Sequence, residues 1–173
     1  MQTNTLPVYD QSENTTGCCS RFKPDAWDGQ DLHFDNKLFV RVITRNVMHI
    51  PMNMGSVFTH TFDAIETAGA MDPDNFVVLS RDLSPWKGEH LFAMSKPVPN
   101  EEMVRLSGDY RTRVFNGPYR DAPKWLDQFE GELEAQDLDA DHIYVFYTTC
   151  PKCAKAYGEN YVVAFAKVEP EPN

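Results

Sequence analysis

The chain has 173 residues, 42% of them hydrophobic and 12% aromatic, which is enough for one full core and too little for two ordinary domains. Its 16 Lys and Arg residues face 26 Asp and Glu residues, for a formal net charge of -10, and this acidity argues against nucleic acid or an anionic membrane as partner. No window approaches the roughly 18 consecutive apolar residues of a membrane span. The opening segment lacks the basic and apolar regions of a secretory signal, so we expect a cytoplasmic protein.

Composition divides the chain into four parts. Residues 1–16 are polar and acidic and are predicted to form a flexible tail. Residues 17–36 mix turn residues with isolated aromatic side chains and are predicted to be an ordered extension. Residues 37–168 carry the regular hydrophobic patterns of a folded domain. The proline- and glutamate-rich residues 169–173 are predicted to be a frayed C-terminal tail.

The first half of the domain contains the pattern of a strand, a helix and two strands. The β-branched and aromatic run 38–43 predicts the first strand. Apolar residues recur with helical spacing over 56–68, with Ser56 as a candidate N-cap and a glycine directly after. Two short apolar runs, 76–79 and 91–94, predict the next two strands.

The same order recurs in the second half. Residues 110–115 alternate as a half-buried strand does, and Asp121 is placed to cap an amphipathic helix. Residues 143–147 and 161–166 predict the last two strands, joined by a loop that carries Cys150 and Cys153. The sequence therefore predicts an α+β fold of duplicated β-α-β-β units: a mainly antiparallel sheet with two helices on one face and a crevice between the units.

Over residues 37–168 this order resembles the GyrI-like small-molecule-binding domain. The most recognisable piece is 114–119, Val-Phe-Asn-Gly-Pro-Tyr, a strand ending in Gly-x-Tyr before a helix that carries a Trp. The resemblance implies binding of a hydrophobic, often cationic or polycyclic, molecule between the two units, and in some stand-alone members hydrolysis by an acidic residue in an aromatic pocket. The family often has a Glu near the start of its last strand, whereas Glu159 precedes that strand here, so the resemblance assigns no catalytic acid.

The chain is also similar, over nearly all its length, to small bacterial proteins that carry a general hydrolase label, with Gly-Cys-Cys near the start and Cys-Pro-Lys-Cys near the end. We therefore predict binding of a small hydrophobic or aromatic compound, with its hydrolysis as the further hypothesis. Two alternatives stay open: a non-catalytic small-molecule sensor with a structural zinc site, and a CxxC thiol oxidoreductase. The sequence does not predict the oligomeric state.

Four cysteines form the sharpest local pattern. Cys150 and Cys153 make a CxxC motif, which brings two sulfur atoms within reach of one Zn²⁺, and Cys18 and Cys19 are the other sulfur donors. We predict one structural zinc ion held by these four residues. A site of three sulfurs and one histidine is the variant, with its histidine drawn from His33, His49 and His142.

Two other interpretations of the cysteines compete with zinc. A CxxC motif after a strand also occurs in redox proteins, but only 20 residues follow Cys153, too few to complete a thioredoxin-like fold. The second alternative is that all four are reduced thiols, partly buried as small apolar side chains.

Candidate substrate-binding residues are aromatic, because aromatic faces attract both flat apolar and cationic ligands. Trp86 and Tyr119 lie in predicted loops, while Trp125 shares a helix face with core residues. The full predicted set is Trp86, Phe115, Tyr119, Trp125 and Tyr147.

Three residues are candidates for catalysis. Glu89 lies beside the Trp86 loop, where an apolar wall would favour a protonated carboxyl group. His49 follows the first strand, at a place where a site could open. Cys150 is a candidate nucleophile, although no triad spacing accompanies it. The common local signatures of α/β-hydrolases, zincins and P-loop enzymes are absent from the sequence.

Overall fold

The computed structural model describes residues 2–170. Its strands and helices follow in the order β1 (Asp31–Val47), β2 (Ile50–Pro51), α1 (Met54–Ala68), β3 (Val78–Ser84), β4 (Lys87–Ala93), β5 (Met103–Asn116), α2 (Ala122–Glu134), β6 (Leu138–Tyr147), α3 (Pro151–Tyr157) and β7 (Tyr161–Pro170). The strands pair antiparallel throughout this sheet. The predicted mainly antiparallel α+β fold is confirmed.

The sheet closes on itself. Its strand order is β2-β1-β4-β3-β6-β7-β5, and β5 pairs back with β1, so six strands form a barrel from which β2 extends as a short hairpin partner of β1. The two halves of the chain meet along β1 and β5 and again at β3 and β6, where a single position pairs, Ser80 with Val145. Closure was not predicted, because a sequence pattern does not report which edge strands meet.

Helices α1 and α2 pack on the outside of the barrel. Side chains alternate along each strand, so Phe39 and Val163 point inward while Val40 and Ala164 point outward. The outward residues form one core with α1, around Ile65, and a second with α2, around Phe129 and Leu133. The two predicted helices therefore cover the outer face of the sheet, as expected.

The inside of the barrel is filled by residues that precede the barrel in the sequence. Leu6, Phe22 and Trp27 are buried there against strand residues. The Trp27 ring lies 5.4 Å from the ring of Phe146 and 6.3 Å from that of Phe165. The interior between the two β-α-β-β units is therefore occupied by the chain's own side chains, and we call residues 6–27 the plug.

Several predicted boundaries were wrong. The segment after Cys150 is the helix α3 rather than a loop: Pro151 stands at its first position and Gly158, with φ 70°, ends it. Helix α1 begins at Met54 with Asn53 at the N-cap, so Ser56 is not the cap. Strand β1 begins at Asp31, within the predicted extension.

The C-terminal part of the described structure differs from the prediction of a frayed tail. Glu169 and Pro170, predicted to belong to a frayed tail, are part of strand β7, and the rest of that predicted tail, 171–173, lies outside the described residues, as does Met1. Within residues 2–170, no helix combines the length and apolarity needed to cross a membrane.

Candidate metal centre and polar barrel mouth

The structure brings the four cysteines to one point. Cys18 and Cys19 lie in the plug, whereas Cys150 ends the connection after β6 and Cys153 lies in α3. Their four sulfur atoms all lie within 4.8 Å of one another, and the sulfurs of Cys18 and Cys19 are 3.7 Å apart. Four sulfurs bound tetrahedrally to one zinc ion at about 2.3 Å lie about 3.8 Å from each other. The cluster therefore has the composition and nearly the dimensions of a four-sulfur zinc site.

Hydrogen bonds hold the plug cysteines against α3. The hydroxyl of Thr16 lies 3.2 Å from the sulfur of Cys153 and accepts a bond from the backbone N–H of Cys18. The hydroxyl of Tyr157, at the end of α3, donates to the carbonyl of Cys19 at 2.6 Å. Gly17 has φ 73°, a left-handed conformation that glycine adopts readily. It turns the chain so that the adjacent cysteines both reach the cluster.

Burial and hydrogen bonding shift the pKa values of two of these thiols in opposite directions. The hydrogen bond with Thr16 is the main cause that lowers the pKa of Cys153, to about 6. Burial is the main cause that raises the pKa of Cys19, to about 12. Cys153 therefore loses its proton more readily than Cys19 does. Zinc binds cysteine as the thiolate, so binding would displace the remaining protons.

Glu89 is buried between two arginines. Its carboxylate oxygens lie 2.6 Å from Nε of Arg41 and 2.8 Å from Nε of Arg81. Burial raises the pKa of Glu89, but the hydrogen bonds and charges of the two guanidinium groups outweigh burial and leave that pKa below its ordinary value. The local environment thus favours an ionised Glu89, which fixes two arginines, over a protonated acid.

His49 belongs to an exposed Asp–His pair. Its Nδ1 lies 2.7 Å from the carboxylate of Asp82, and it follows Met48 in a two-residue turn in which both residues have positive φ. A chain of hydrogen bonds continues inward from Asp82 through Asn46 and Thr44 to His90. This network lies on the outer face of the sheet, and Phe58 of α1 packs on His90.

The five predicted aromatic residues do not form one pocket. Phe115 and Trp125 stack in parallel, with ring centres 5.6 Å apart, in the core beneath α2. Tyr119 and Tyr147 contact edge to face, and the Tyr119 hydroxyl donates to the carbonyl of Thr149. Trp86 is 56% exposed in the turn between β3 and β4. Tyr119 also lines an open surface cleft of about 370 Å³ beside α3.

A polar group of residues that was not predicted as a set lies at one end of the barrel interior. Arg81 lies over the ring of Tyr144, 5.1 Å from its centre, and His142 packs edge to face on the same ring at 4.9 Å. Together with Arg41 and Glu89, these residues form what we call the barrel mouth. A sequence signal existed: Arg41, Arg81, Glu89 and His142 are polar residues at inward-facing positions of strands.

His90 gives a pH-dependent contribution to stability. Burial lowers its pKa to about 4, below the ordinary 6.5, so between these values the unfolded chain binds a proton that the folded chain does not. The contribution of neutral His90 to the free energy of unfolding is therefore fully present above pH 6.5. It is lost as the pH falls toward 4, by up to about 3 kcal/mol. We expect wild type to lose this much more unfolding free energy than His90→Gln between pH 7 and 4 in urea titrations.

The matched control for His90 is an exposed histidine. His33→Gln, at a residue whose side chain is 44% exposed, should change the free energy of unfolding at neutral pH by no more than about 0.5 kcal/mol. Parallel pH profiles for wild type and His90→Gln would contradict the assignment.

Comparison with known proteins places the chain in a family. The family described as bacterial hydrolase matches residues 9–168. The chain belongs to the bacterial hydrolase family. The match includes all four cysteines and the barrel mouth, so these features lie within the family region. No curated protein matches the chain significantly.

A solved structure shares the fold of this bacterial hydrolase family member. An uncharacterized conserved protein from Listeria innocua matches with a TM-score of 0.57 and 12% sequence identity, over 82% of this chain and 92% of that chain. At this identity the likeness concerns the fold alone. The resemblance to GyrI-like domains stays a prediction from element order and the 114–119 piece.

Proposed function

We propose that Cys18, Cys19, Cys150 and Cys153 bind one zinc ion whose role is structural. The observation that carries this proposal is the approach of four sulfurs to within 4.8 Å from two segments far apart in the sequence. Thiolate donors in a set of four suit zinc, and such a set leaves no open position for water or substrate. The ion would fasten the plug to α3.

The surroundings support a structural role over a redox role. Cys153 is buried, and Cys19 and Cys150 are only partly exposed, so the cluster offers a disulfide partner little access beyond Cys18. The three histidines considered as a fourth ligand are engaged elsewhere or lie apart from the cluster: His33 pairs with Asp109, His49 with Asp82, and His142 with Asp141. The four-sulfur set is therefore the one that we propose.

Metal analysis tests the proposal. Protein purified under reducing conditions should contain about one zinc per chain by plasma mass spectrometry, and Cys150→Ser should reduce this ratio to near zero. His33→Gln is the matched control, because His33 is one of the histidines that the alternative three-sulfur site would use. This substitution should leave the ratio of zinc to protein unchanged. A zinc-free wild-type protein that reduces disulfides in a Cys150-dependent way would replace the zinc proposal by the oxidoreductase alternative.

Membership of the bacterial hydrolase family supports a second proposal: that the protein binds a small molecule and cleaves it with water. Because the plug fills the interior between the two units, we place the binding site at the barrel mouth rather than in a crevice. A protein that binds such a compound without turnover would instead be a sensor. Equilibrium binding and turnover measured on the same compound separate these two functions.

A further inference from the structure

The starting observation is a buried nitrogen without a partner. Nε2 of His142 is one of the few buried side-chain polar atoms among the described residues that make no hydrogen bond. Leaving such an atom unpaired costs about 1–3 kcal/mol. The His142 side chain as a whole is 24% exposed, so the imidazole borders solvent at the barrel mouth while Nε2 itself is covered.

The surroundings of Nδ1, the other ring nitrogen of His142, bear on whether Nε2 carries a proton. Nδ1 lies 3.0 Å from the carboxylate of Asp141, and because an ionised carboxylate can only accept a hydrogen bond, this contact favours the tautomer with its proton on Nδ1. Burial, followed by the charge of Arg81, keeps the pKa of His142 below its ordinary value. The neutral ring therefore presents an unprotonated Nε2, which is the arrangement of a general base.

The backbone at this point is specialised for the pair. The register of β6 against β7 shifts between Ala140 and His142, which makes Asp141 an extra residue in its strand. Such bulges redirect side chains and are frequent beside functional sites. Here the bulge lets two consecutive residues pair with each other, which regular alternation to opposite faces of a strand would prevent.

Arg81 supplies positive charge to the same place. Its Nε is bound to Glu89 at 2.8 Å and its guanidinium lies over Tyr144, whose ring also contacts His142. The Arg81 side chain is 31% exposed. A fixed guanidinium beside a neutral base stabilises negative charge that develops on a reacting oxygen.

We propose that the barrel mouth is a hydrolytic site in which His142 is the catalytic base, Arg81 stabilises the oxyanion and Asp141 is a positioning residue, acting on small carboxylic esters. This gives the proposed water-dependent cleavage its site and substrate class, and it does not depend on zinc. Nε2 takes a proton from water while the water oxygen bonds to the ester carbonyl carbon. The tetrahedral oxyanion faces Arg81. Its collapse breaks the ester C–O bond, and the departing oxygen takes the proton from Nε2, giving one acid and one alcohol.

The probe is p-nitrophenyl acetate, and the protein is assayed both with added zinc and without it, because cysteine thiolates that bind no metal can themselves be acylated by this ester. Wild type should release more nitrophenolate than one equivalent per chain, and His142→Gln should lower this steady-state rate about 100-fold or more. His33→Gln is the matched control, since His33 is also paired with an aspartate, at 2.7 Å, and should keep the wild-type rate. Wild-type turnover no faster than buffer, or an equal rate in His142→Gln, overturns the proposal.

The pH profile provides a test that a folding defect would not imitate. The charged and titratable groups around His142 are Arg81, Asp141, Lys167, Tyr144 and Glu89. The rate at low substrate should be full at neutral pH and fall as the pH drops through a value below 6.5, because the base becomes protonated. Asp141→Asn should move that fall to lower pH, since Asp141 raises the pKa of His142. A profile that does not move in Asp141→Asn overturns the positioning role.

The failure of this proposal is distinguishable from that of the zinc proposal. Zinc content is measured without substrate, and the ester assay compares variants outside the cysteine cluster. A protein that holds zinc and shows no His142-dependent turnover would keep the structural metal and lose the hydrolytic site.

Discussion

Replacement of Trp27 by alanine is expected to lower the free energy of unfolding by about 3–5 kcal/mol. Trp27 is 1% exposed, the largest of the fully buried side chains, and its ring contacts those of Phe22, Phe146 and Phe165. Removing it leaves a cavity inside a closed barrel, whose hydrogen-bonded strands cannot collapse to fill the space. The midpoint of urea unfolding, converted with a common slope, measures the loss.

A second tryptophan serves as the control for Trp27. Trp86 is 56% exposed in the turn between β3 and β4, so Trp86→Ala should change stability by no more than about 0.5 kcal/mol. Equal destabilisation by the two substitutions would show that the Trp27 side chain does not fill the barrel interior.

Removal of zinc is expected to loosen the plug and lower the melting temperature. At free zinc about a thousand times the dissociation constant, binding to the folded state alone contributes about 4 kcal/mol. In a chain of this size each kcal/mol moves the melting temperature by about 2–4 °C, so chelation should lower it by about 8–16 °C. Calorimetry of zinc-loaded and chelated protein measures this difference, and hydrogen exchange should place the largest loss of protection in residues 16–22.

Cys153→Ser is the matched variant for the chelation experiment. It removes one proposed ligand, so the variant should already melt at the lower temperature and should not respond to chelator. An unchanged melting temperature of the wild type after complete metal removal would contradict the clamp.

Local sequence patterns predicted those helices and strands whose type is determined by the residues of the element itself. The helices of 54–68 and 122–134 and the strands around Val40, Phe92 and Val163 follow from spacing that the sequence displays directly. Ring closure depends instead on β5 meeting β1, a contact between distant segments that no local pattern encodes. Helix α3 was missed because its seven residues are shorter than the windows in which helical spacing can be recognised.

The same distinction between local patterns and distant contacts applies to the candidate site. The cysteine cluster was predicted because the CxxC spacing and the adjacent Cys18 and Cys19 are visible in the sequence. The barrel mouth was not, because Arg81 and His142 lie on strands from different halves and meet only when β3 pairs with β6. The polarity of their inward-facing positions was the available signal, and of the barrel-mouth residues only Glu89 was predicted as a catalytic candidate.

The plug also affects when the barrel interior can form its native contacts during synthesis of the chain. Phe22 and Trp27 leave the ribosome early, whereas the rings that receive them, Phe146 and Phe165, are made near the end of the described chain. Contacts of such sequence separation form slowly, and exposed apolar surface promotes aggregation meanwhile. The nascent chain must therefore carry its aromatic N-terminal segment without its native partners until β6 and β7 emerge, which makes that interval the one in which a chaperone would be most useful.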